Sequence, residues 1–203
     1  MKYLIMPLVM IFCAIALFFD AGAARAAHSS PGQRILLPKP EVTGGVPLME
    51  AMAKRHANRS FSDKPVFEQT VSNLLWAAWG VNRPDGRRTV PTARNTQKME
   101  VYAVLDNGVW RYDAQVNELT LALAEDARAR FGGAPVTLLF AVPEDDALGP
   151  MHAGSAYQNV GLYCASEGLA NVVKLSGRDA LKGTLQLPAG YTVVSGQSIG
   201  WPR

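Results

Sequence analysis

The chain has 203 residues, of which 48% are hydrophobic and 18% charged, and its formal net charge is +3 at pH 7. This length is enough for one domain with a substantial core and too short for two ordinary domains. The small net charge is unlike the concentrated basic charge of nucleic-acid-binding domains, so we expect no nucleic-acid partner.

The first 26 residues have the composition of a secretory signal peptide. Lys2 precedes an apolar run that ends at Asp20, and Ala24-Arg25-Ala26 is a small-x-small cleavage site. The alternative is an uncleaved membrane anchor, but the run is shorter than the about 20 apolar residues that a span needs. We predict cleavage after Ala26, a periplasmic or secreted location, and no stable membrane anchor.

Cysteine usage and composition divide the rest of the chain. Only Cys164 lies beyond the predicted signal peptide, so the exported chain has no intrachain disulfide. Its apolar surroundings indicate a buried structural thiol rather than a nucleophile.

Residues 27–46 are rich in proline and glycine and are predicted to form an extended N-terminal arm, and residues 47–203 form the folded domain.

A first helix is predicted over residues 47–57. Arg55 and Arg59, at its end, are four residues apart, the spacing of side chains that share a helix face. Two guanidiniums on one face can hold a phosphate through paired donors. The alternative is a solvated helix end, where the helix dipole favours cations in any case.

A second helix is predicted over residues 67–79, and a long polar loop follows it. Loops of this length are usually functional or disordered, and the helix packed before it argues against disorder. Its arginines can bind an anion, and Asn95 and Gln97 offer amides to the edge of a heterocycle. A solvated surface loop is the alternative.

The remaining elements alternate strands with helices. Residues 99–105 and 109–112 are predicted to form a hairpin, 115–131 an amphipathic helix and 134–142 a buried strand. The longest helix covers residues 151–169, and its many small side chains permit close approach of another backbone or a flat ligand. A strand over 171–175, a short helix over 176–185 and a last strand over 191–202 complete the chain. The three histidines have no metal-ligand spacing, so we expect no metal site and catalysis by a cofactor.

Three blocks, residues 54–61, 74–97 and 157–169, carry a resemblance to the nitroreductase superfamily of flavin-dependent α+β homodimers. More closely, they resemble its branch that includes the azoline-oxidising dehydrogenases of peptide modification. The resemblance implies a mostly antiparallel sheet flanked by helices, with FMN between the subunits of a homodimer. It implies an exported FMN-dependent oxidoreductase that transfers hydride or electrons between a donor and a small organic substrate. The alternative is a non-catalytic exported protein of the same fold that binds flavin or a related heterocycle.

The resemblance also implies where FMN binds. In the family, the first block grips the phosphate, the proline-containing loop lines the isoalloxazine, and the segment after the longest helix presents backbone N–H groups to the reactive edge. The implied cofactor-binding residues are Arg55, His56, Ala57, Arg59, Pro91, Thr92, Ala93, Arg94, Asn95, Gln97, Gly168, Leu169 and Ala170.

Two positions depart from the family pattern. Ala57 stands where many relatives have serine, which removes a hydrogen bond to phosphate. Arg94 replaces a residue that is usually small, so it either blocks the substrate side or binds an acidic substrate. We favour a guanidinium beside the N1–O2 edge of the flavin, because a buried arginine needs an anionic partner.

Overall fold

The computed structural model describes residues 32–203, so the predicted signal peptide lies outside the described residues. Seven strands form one sheet in the order β1-β4-β3-β2-β5-β7-β6, and every neighbouring pair is antiparallel. The strands are β1 (Arg34–Leu36), β2 (Glu100–Leu105), β3 (Gly108–Asp113), β4 (Glu118–Leu123), β5 (Val136–Pro143), β6 (Ala170–Lys174) and β7 (Tyr191–Gly200). The helices are α1 (Leu48–Lys54), α2 (Glu68–Trp79) and α3 (Gly149–Glu167), with short 3-10 turns at Ala93–Asn95 and Arg128–Phe131.

The sheet separates two hydrophobic clusters, because successive side chains of a strand point to opposite faces. In β2, Val101 and Ala103 join the cluster that includes α2 and α3, whereas Tyr102 and Val104 join a smaller cluster on the other face. The smaller cluster is covered by residues 180–187 and by the turn that ends at Phe131. Both faces of the central strands are therefore buried.

The predicted second helix is confirmed as α2. Its apolar stripe of Val71, Leu74, Leu75 and Ala78 is buried against the sheet and α3, and each fully buried leucine contributes about 1.5–3 kcal/mol. The helix ends at Gly80, whose backbone is extended. Glycine is required there by space, because a Cβ atom would collide with the Trp76 ring and the Trp76 carbonyl.

The predicted amphipathic helix over residues 115–131 is wrong. The chain forms β4 and then a 3-10 turn at Arg128–Phe131. Leu119, Leu121 and Leu123 recur every second residue, which is the period of a strand. As a strand, β4 pairs with both β1 and β3. The segment therefore has the pattern of a strand, although its residues also favour helices.

Two further helices differ from prediction. Residues 176–185 form successive turns rather than a helix, since Gly177 and Gly183 interrupt the segment and Gly183 has a φ of +78°. Leu181 and Leu185 nevertheless pack into the smaller cluster. The first helix is shorter than predicted and ends at Lys54.

Part of the predicted N-terminal arm belongs to the sheet. Residues Arg34–Leu36 form β1 at one sheet edge, and Leu121 N–H donates to the Gln33 carbonyl at 2.9 Å. No helix within residues 32–203 has the length and apolarity to cross a membrane.

Candidate cofactor site

Helix α1 ends at Lys54 and the backbone of Arg55 is extended, so the predicted clamp does not lie on one helix face. Alternate residues Lys54, His56 and Asn58 line a cavity of about 400 Å³, and the intervening Arg55, Ala57 and Arg59 do not. This alternation is that of an extended chain, in which residues two apart lie on the same side. Arg55 and Arg59 therefore lie on the same side of the chain, but not on a helix as predicted.

Arg55 and Arg59 are exposed cations without a protein partner. Neither guanidinium makes a hydrogen bond or ion pair within residues 32–203. The Arg55 stem passes α3 at Gly161, where the Cβ atom of any larger residue would lie 3.7 Å from both Arg55 Cγ and Cδ. By contrast, Lys54 is paired with Glu50 at 2.6 Å. The two arginines are therefore available for an anionic ligand.

The other wall of the cavity is the junction between α3 and β6. Gly168, Leu169 and Ala170 line it, and Gly168 ends the helix with a φ of +72°, a conformation that favours glycine. The N–H groups of Gly168 and Leu169 both donate to the Cys164 carbonyl. Because these two predicted donors close the helix, donors toward the cavity have to come from further along the chain.

Asn171 joins the two walls. Its carbonyl accepts a 2.8 Å hydrogen bond from Asn58 N–H, and the residue lines the cavity although it is only 6% exposed. The structure thus brings together His56 from the first predicted block and Gly168, Leu169 and Ala170 from the third.

The predicted ring-lining loop lies elsewhere, at the N-terminal end of α3. Ala93 N–H donates to His152 Nε2 at 2.9 Å. An accepting Nε2 carries no proton, so the neutral ring holds its proton on Nδ1, the atom that faces Asp146 at 4.0 Å. His152 was not predicted to have a role, because only the fold brings it to the loop.

This loop has a strained backbone. Arg94, Asn95 and Gln97 have φ values of 52°, 55° and 48°, a region that side chains other than glycine seldom adopt. Gln97 N–H donates to Thr92 Oγ1 at 3.2 Å, and Gln97 Nε2 donates to Asn95 Oδ1 at 3.1 Å. Such strain persists only where surrounding contacts impose it and is concentrated at functional sites. Pro91 and Arg94 are exposed at the loop surface, so within one chain Arg94 is not the buried arginine that the prediction assumed.

Arg88 imposes much of this conformation. Its Nε donates to Gln97 Oε1 at 2.8 Å, its Nη1 donates to the Trp79 carbonyl at 3.3 Å, and its guanidinium stacks 5.0 Å from the centre of the Trp79 ring. Burial lowers the pKa of Arg88 from its usual value, partly offset by nearby acidic groups. The loop is thereby tied to the end of α2.

The two halves of the predicted site are far apart within one chain. The loop contacts His152 near the start of α3, and Gly168 follows its end. At about 1.5 Å per residue, these two positions are separated by roughly 24 Å along the helix. A single chain therefore does not assemble the predicted residues into one site.

The molecule also has a cavity of about 420 Å³ between the start of α2 and the sheet. Asp63, Glu68 and Asp106 lie among apolar side chains there, and no predicted cofactor-binding residue lines it. It is a separate feature from the candidate site.

Comparison with known proteins identifies the family. Residues 52–201 match the Nitroreductase family. A structure from Ralstonia eutropha JMP134, described as a nitroreductase, is 34% identical and superimposes with a TM-score of 0.78, covering 84% of this chain and 90% of its own. A protein of Methanocaldococcus jannaschii named as a nitroreductase is 28% identical over 153 residues, which is 63% of this chain and 77% of that protein.

More distant structures share the fold. A Bacteroides fragilis nitroreductase with bound FMN is 13% identical with a TM-score of 0.57, and the match covers 77% of this chain and 88% of its own. A chain of the Escherichia coli microcin synthetase complex is 18% identical with a TM-score of 0.61, over 96% of this chain and 85% of its own.

These matches and the sheet define the class of protein as an α+β oxidoreductase. The chain belongs to the nitroreductase family. The predicted fold, an antiparallel sheet flanked by helices, is confirmed.

Proposed function

We propose that this protein is an exported FMN-dependent oxidoreductase that acts on a small organic substrate as a homodimer. The observation that carries the proposal is the separation of the two half-sites at opposite ends of α3. If two copies pack with their α3 helices antiparallel, the loop of one copy reaches the cavity of the other, and two complete sites form.

The exposed side chains support such a dimer. Leu48, Met49 and Met52 of α1 and Met151 of α3 are large hydrophobic residues between 49% and 75% exposed. The helix α3 also has small residues, including Gly154. An apolar surface of this kind is typical of an interface. Light scattering at micromolar concentration is expected to give twice the monomer mass, and Met52→Lys to shift it toward the monomer. A wild-type monomer would contradict the dimer.

The residues present fit FMN. When bound, FMN supplies the transfer of hydride or electrons from its ring. Arg55 and Arg59 are free cations that would hold its phosphate, and the cavity beside Gly168, Leu169 and Ala170 is open to a planar group. The strained loop of Pro91, Thr92, Ala93, Asn95 and Gln97, from the second copy, would cover the ring and exclude water.

The binding experiment uses the chain's own arginines. A hydrogen bond to a charged group contributes about 1.5–3 kcal/mol, so Arg59→Ala should weaken FMN binding roughly tenfold or more. Riboflavin, which lacks the phosphate, should bind both proteins alike. Arg178→Ala, which removes an exposed arginine paired with Asp179 at 3.5 Å, is the control and should leave the FMN dissociation constant unchanged. Equal binding of FMN and riboflavin to the wild type would show that no phosphate clamp exists.

Arg94 has a separate proposed role. Beside the N1–O2 edge, its guanidinium would stabilise negative charge on the reduced ring, so Arg94→Ala should lower the flavin midpoint potential. If the potential is unchanged and the variant instead gains reduction by NADH, Arg94 is a steric plug. Arg83→Ala, whose guanidinium donates to the Arg88 carbonyl at 2.9 Å, is the matched loop control.

The exposed Arg94 and the missing hydroxyl at Ala57 favour a second candidate function, a non-catalytic exported protein that binds flavin or a related heterocycle. A yellow protein whose flavin is reduced by dithionite and reoxidised by no organic acceptor would support it.

Mass spectrometry of the exported fraction tests the location, with an N-terminus expected at Ala27. Recovery of intact Met1 chiefly from the cytosol would contradict export.

A further inference from the structure

A chain of hydrogen bonds fixes the orientation of two side-chain amides next to the cavity. Gln197 is fully buried on β7, and its Nε2 donates to the Tyr157 carbonyl at 3.2 Å and to Asn171 Oδ1 at 3.0 Å. A backbone carbonyl only accepts, so Gln197 has to present its NH₂ group to Tyr157. The second hydrogen of that NH₂ group then requires Asn171 to present its oxygen.

The consequence is that Asn171 directs its own NH₂ group away from Gln197. Asn171 Nδ2 has no acceptor within residues 32–203. The atom nevertheless keeps some contact with solvent, unlike the sealed atoms that lack a partner. Asn171 is one of the residues that line the cavity, although it is only 6% exposed. An almost fully buried residue at the cavity wall therefore carries an oriented NH₂ group that has no protein acceptor and is not sealed from solvent.

This arrangement leaves one buried acceptor atom without a hydrogen bond. Gln197 Oε1 is one of two sealed side-chain polar atoms without a hydrogen-bond partner among the described residues. A buried acceptor without a partner is unfavourable, and each such group calls for an explanation. Here Gln197 is held with its NH₂ group toward the Tyr157 carbonyl and Asn171 Oδ1, and in that orientation its oxygen has no donor to bond.

We infer that Asn171 is a ligand-binding residue whose Nδ2 donates to an acceptor of the flavin heterocycle, and that Gln197 is its positioning residue. The inference rests on the proposed function. It assigns the polar contact at this wall to a side chain, since the N–H groups of Gly168 and Leu169 are already bonded to Cys164. The contact selects for a ring acceptor, such as a carbonyl oxygen, and is independent of the phosphate.

Riboflavin is the probe that separates this contact from the arginine clamp. Asn171→Asp keeps the shape of the side chain and replaces the NH₂ group by an oxygen, so we expect riboflavin to bind the homodimer at least tenfold more weakly. Arg59→Ala should leave riboflavin binding unchanged. Gln186→Glu, at an exposed position, introduces the same charge change and should bind riboflavin like the wild type.

Nuclear magnetic resonance gives a readout that a purely structural role would not affect. In the wild type, the Asn171 side-chain NH₂ signals, assigned by their loss in Asn171→Asp, should shift when riboflavin is added. In Gln197→Leu they should broaden before addition, because the amide is free to rotate. If Asn171→Asp does not fold, Asn171→Ala serves for the affinity measurement, with the same expected loss.

The outcomes separate this inference from the proposed function. Unchanged riboflavin affinity in Asn171→Asp, with wild type binding both flavins, would overturn the role of Asn171 and leave the proposed function standing. A loss for FMN alone would also overturn it, because the contact would then be to the phosphate. A wild type that binds neither flavin would overturn the proposed function and this inference together.

Discussion

Replacing Arg88 by alanine should loosen the strained loop and destabilise the whole domain. The substitution removes two hydrogen bonds from a charged donor, to Gln97 Oε1 at 2.8 Å and to the Trp79 carbonyl at 3.3 Å, and a contact with the Trp79 ring. Each such hydrogen bond contributes about 1.5–3 kcal/mol and the ring contact about 0.5–1 kcal/mol. The side chain is half-buried, so water compensates part of the loss, and we expect a decrease of roughly 2–4 kcal/mol in the free energy of unfolding.

The neighbouring Arg87 provides the control. It makes an exposed ion pair with Asp85 at 3.2 Å, with both side chains more than half exposed, and Arg87→Ala should cost less than about 0.5 kcal/mol. Urea unfolding followed by tryptophan fluorescence measures both variants, and hydrogen exchange of the Asn95 and Gln97 amides reports on the loop itself. Equal urea midpoints for the two variants, with slow exchange retained in Arg88→Ala, would refute the conclusion that Arg88 imposes the loop conformation.

Three further predictions concern stability and reactivity. Leu74→Ala should lower the free energy of unfolding by about 2–5 kcal/mol in urea titrations, whereas Leu36→Ala, at a 73% exposed position, should change it by less than about 0.5 kcal/mol; similar effects of the two would contradict the assigned core. Burial raises the pKa of the Cys164 thiol well above its usual range, so iodoacetamide should label it only after unfolding, and rapid labelling of the native protein would contradict its burial. The hydrogen bond from Arg128 lowers the pKa of Asp126, so the contribution of this carboxylate is present above the unfolded value of about 3.9 and is lost as pH falls through the lower folded value. Asp126→Asn should therefore cost up to about 1 kcal/mol at pH 7, with the difference from wild type vanishing at the acid end of a pH series of urea midpoints.

Periodicity in the sequence is enough to predict those elements whose pattern matches one structure only. The stripe of α2 and the hairpin of β2 and β3 are of this kind. Residues 115–131 are ambiguous, because leucines at alternate positions mark a strand while the leucines, alanines and glutamates of the segment favour a helix. Pairing with β1 and β3 decides between the two, and that pairing depends on distant residues.

The candidate site shows a similar division. The resemblance indicates the segments around Arg55, Asn95 and Gly168 and implies a site between two subunits. The structure adds which segment lies at which end of α3. The roles of His152 and Asn171 depend on contacts across 59 and 26 residues of sequence, to Ala93 and Gln197. No local pattern marks such partners, since neither residue type nor spacing records which backbone will arrive beside it.

The short strand β1 also has a consequence for how the chain can be trimmed. An open sheet edge is a template on which another chain can add a strand, and such edges lead to aggregation unless they are short or covered. Here β1 caps β4, and at the opposite edge β6 has only five residues. Cleavage after Ala26 would leave this cap intact. A proteolytic cut beyond Leu37 would instead uncover the six residues of β4, so the same protein would become prone to self-association through its backbone.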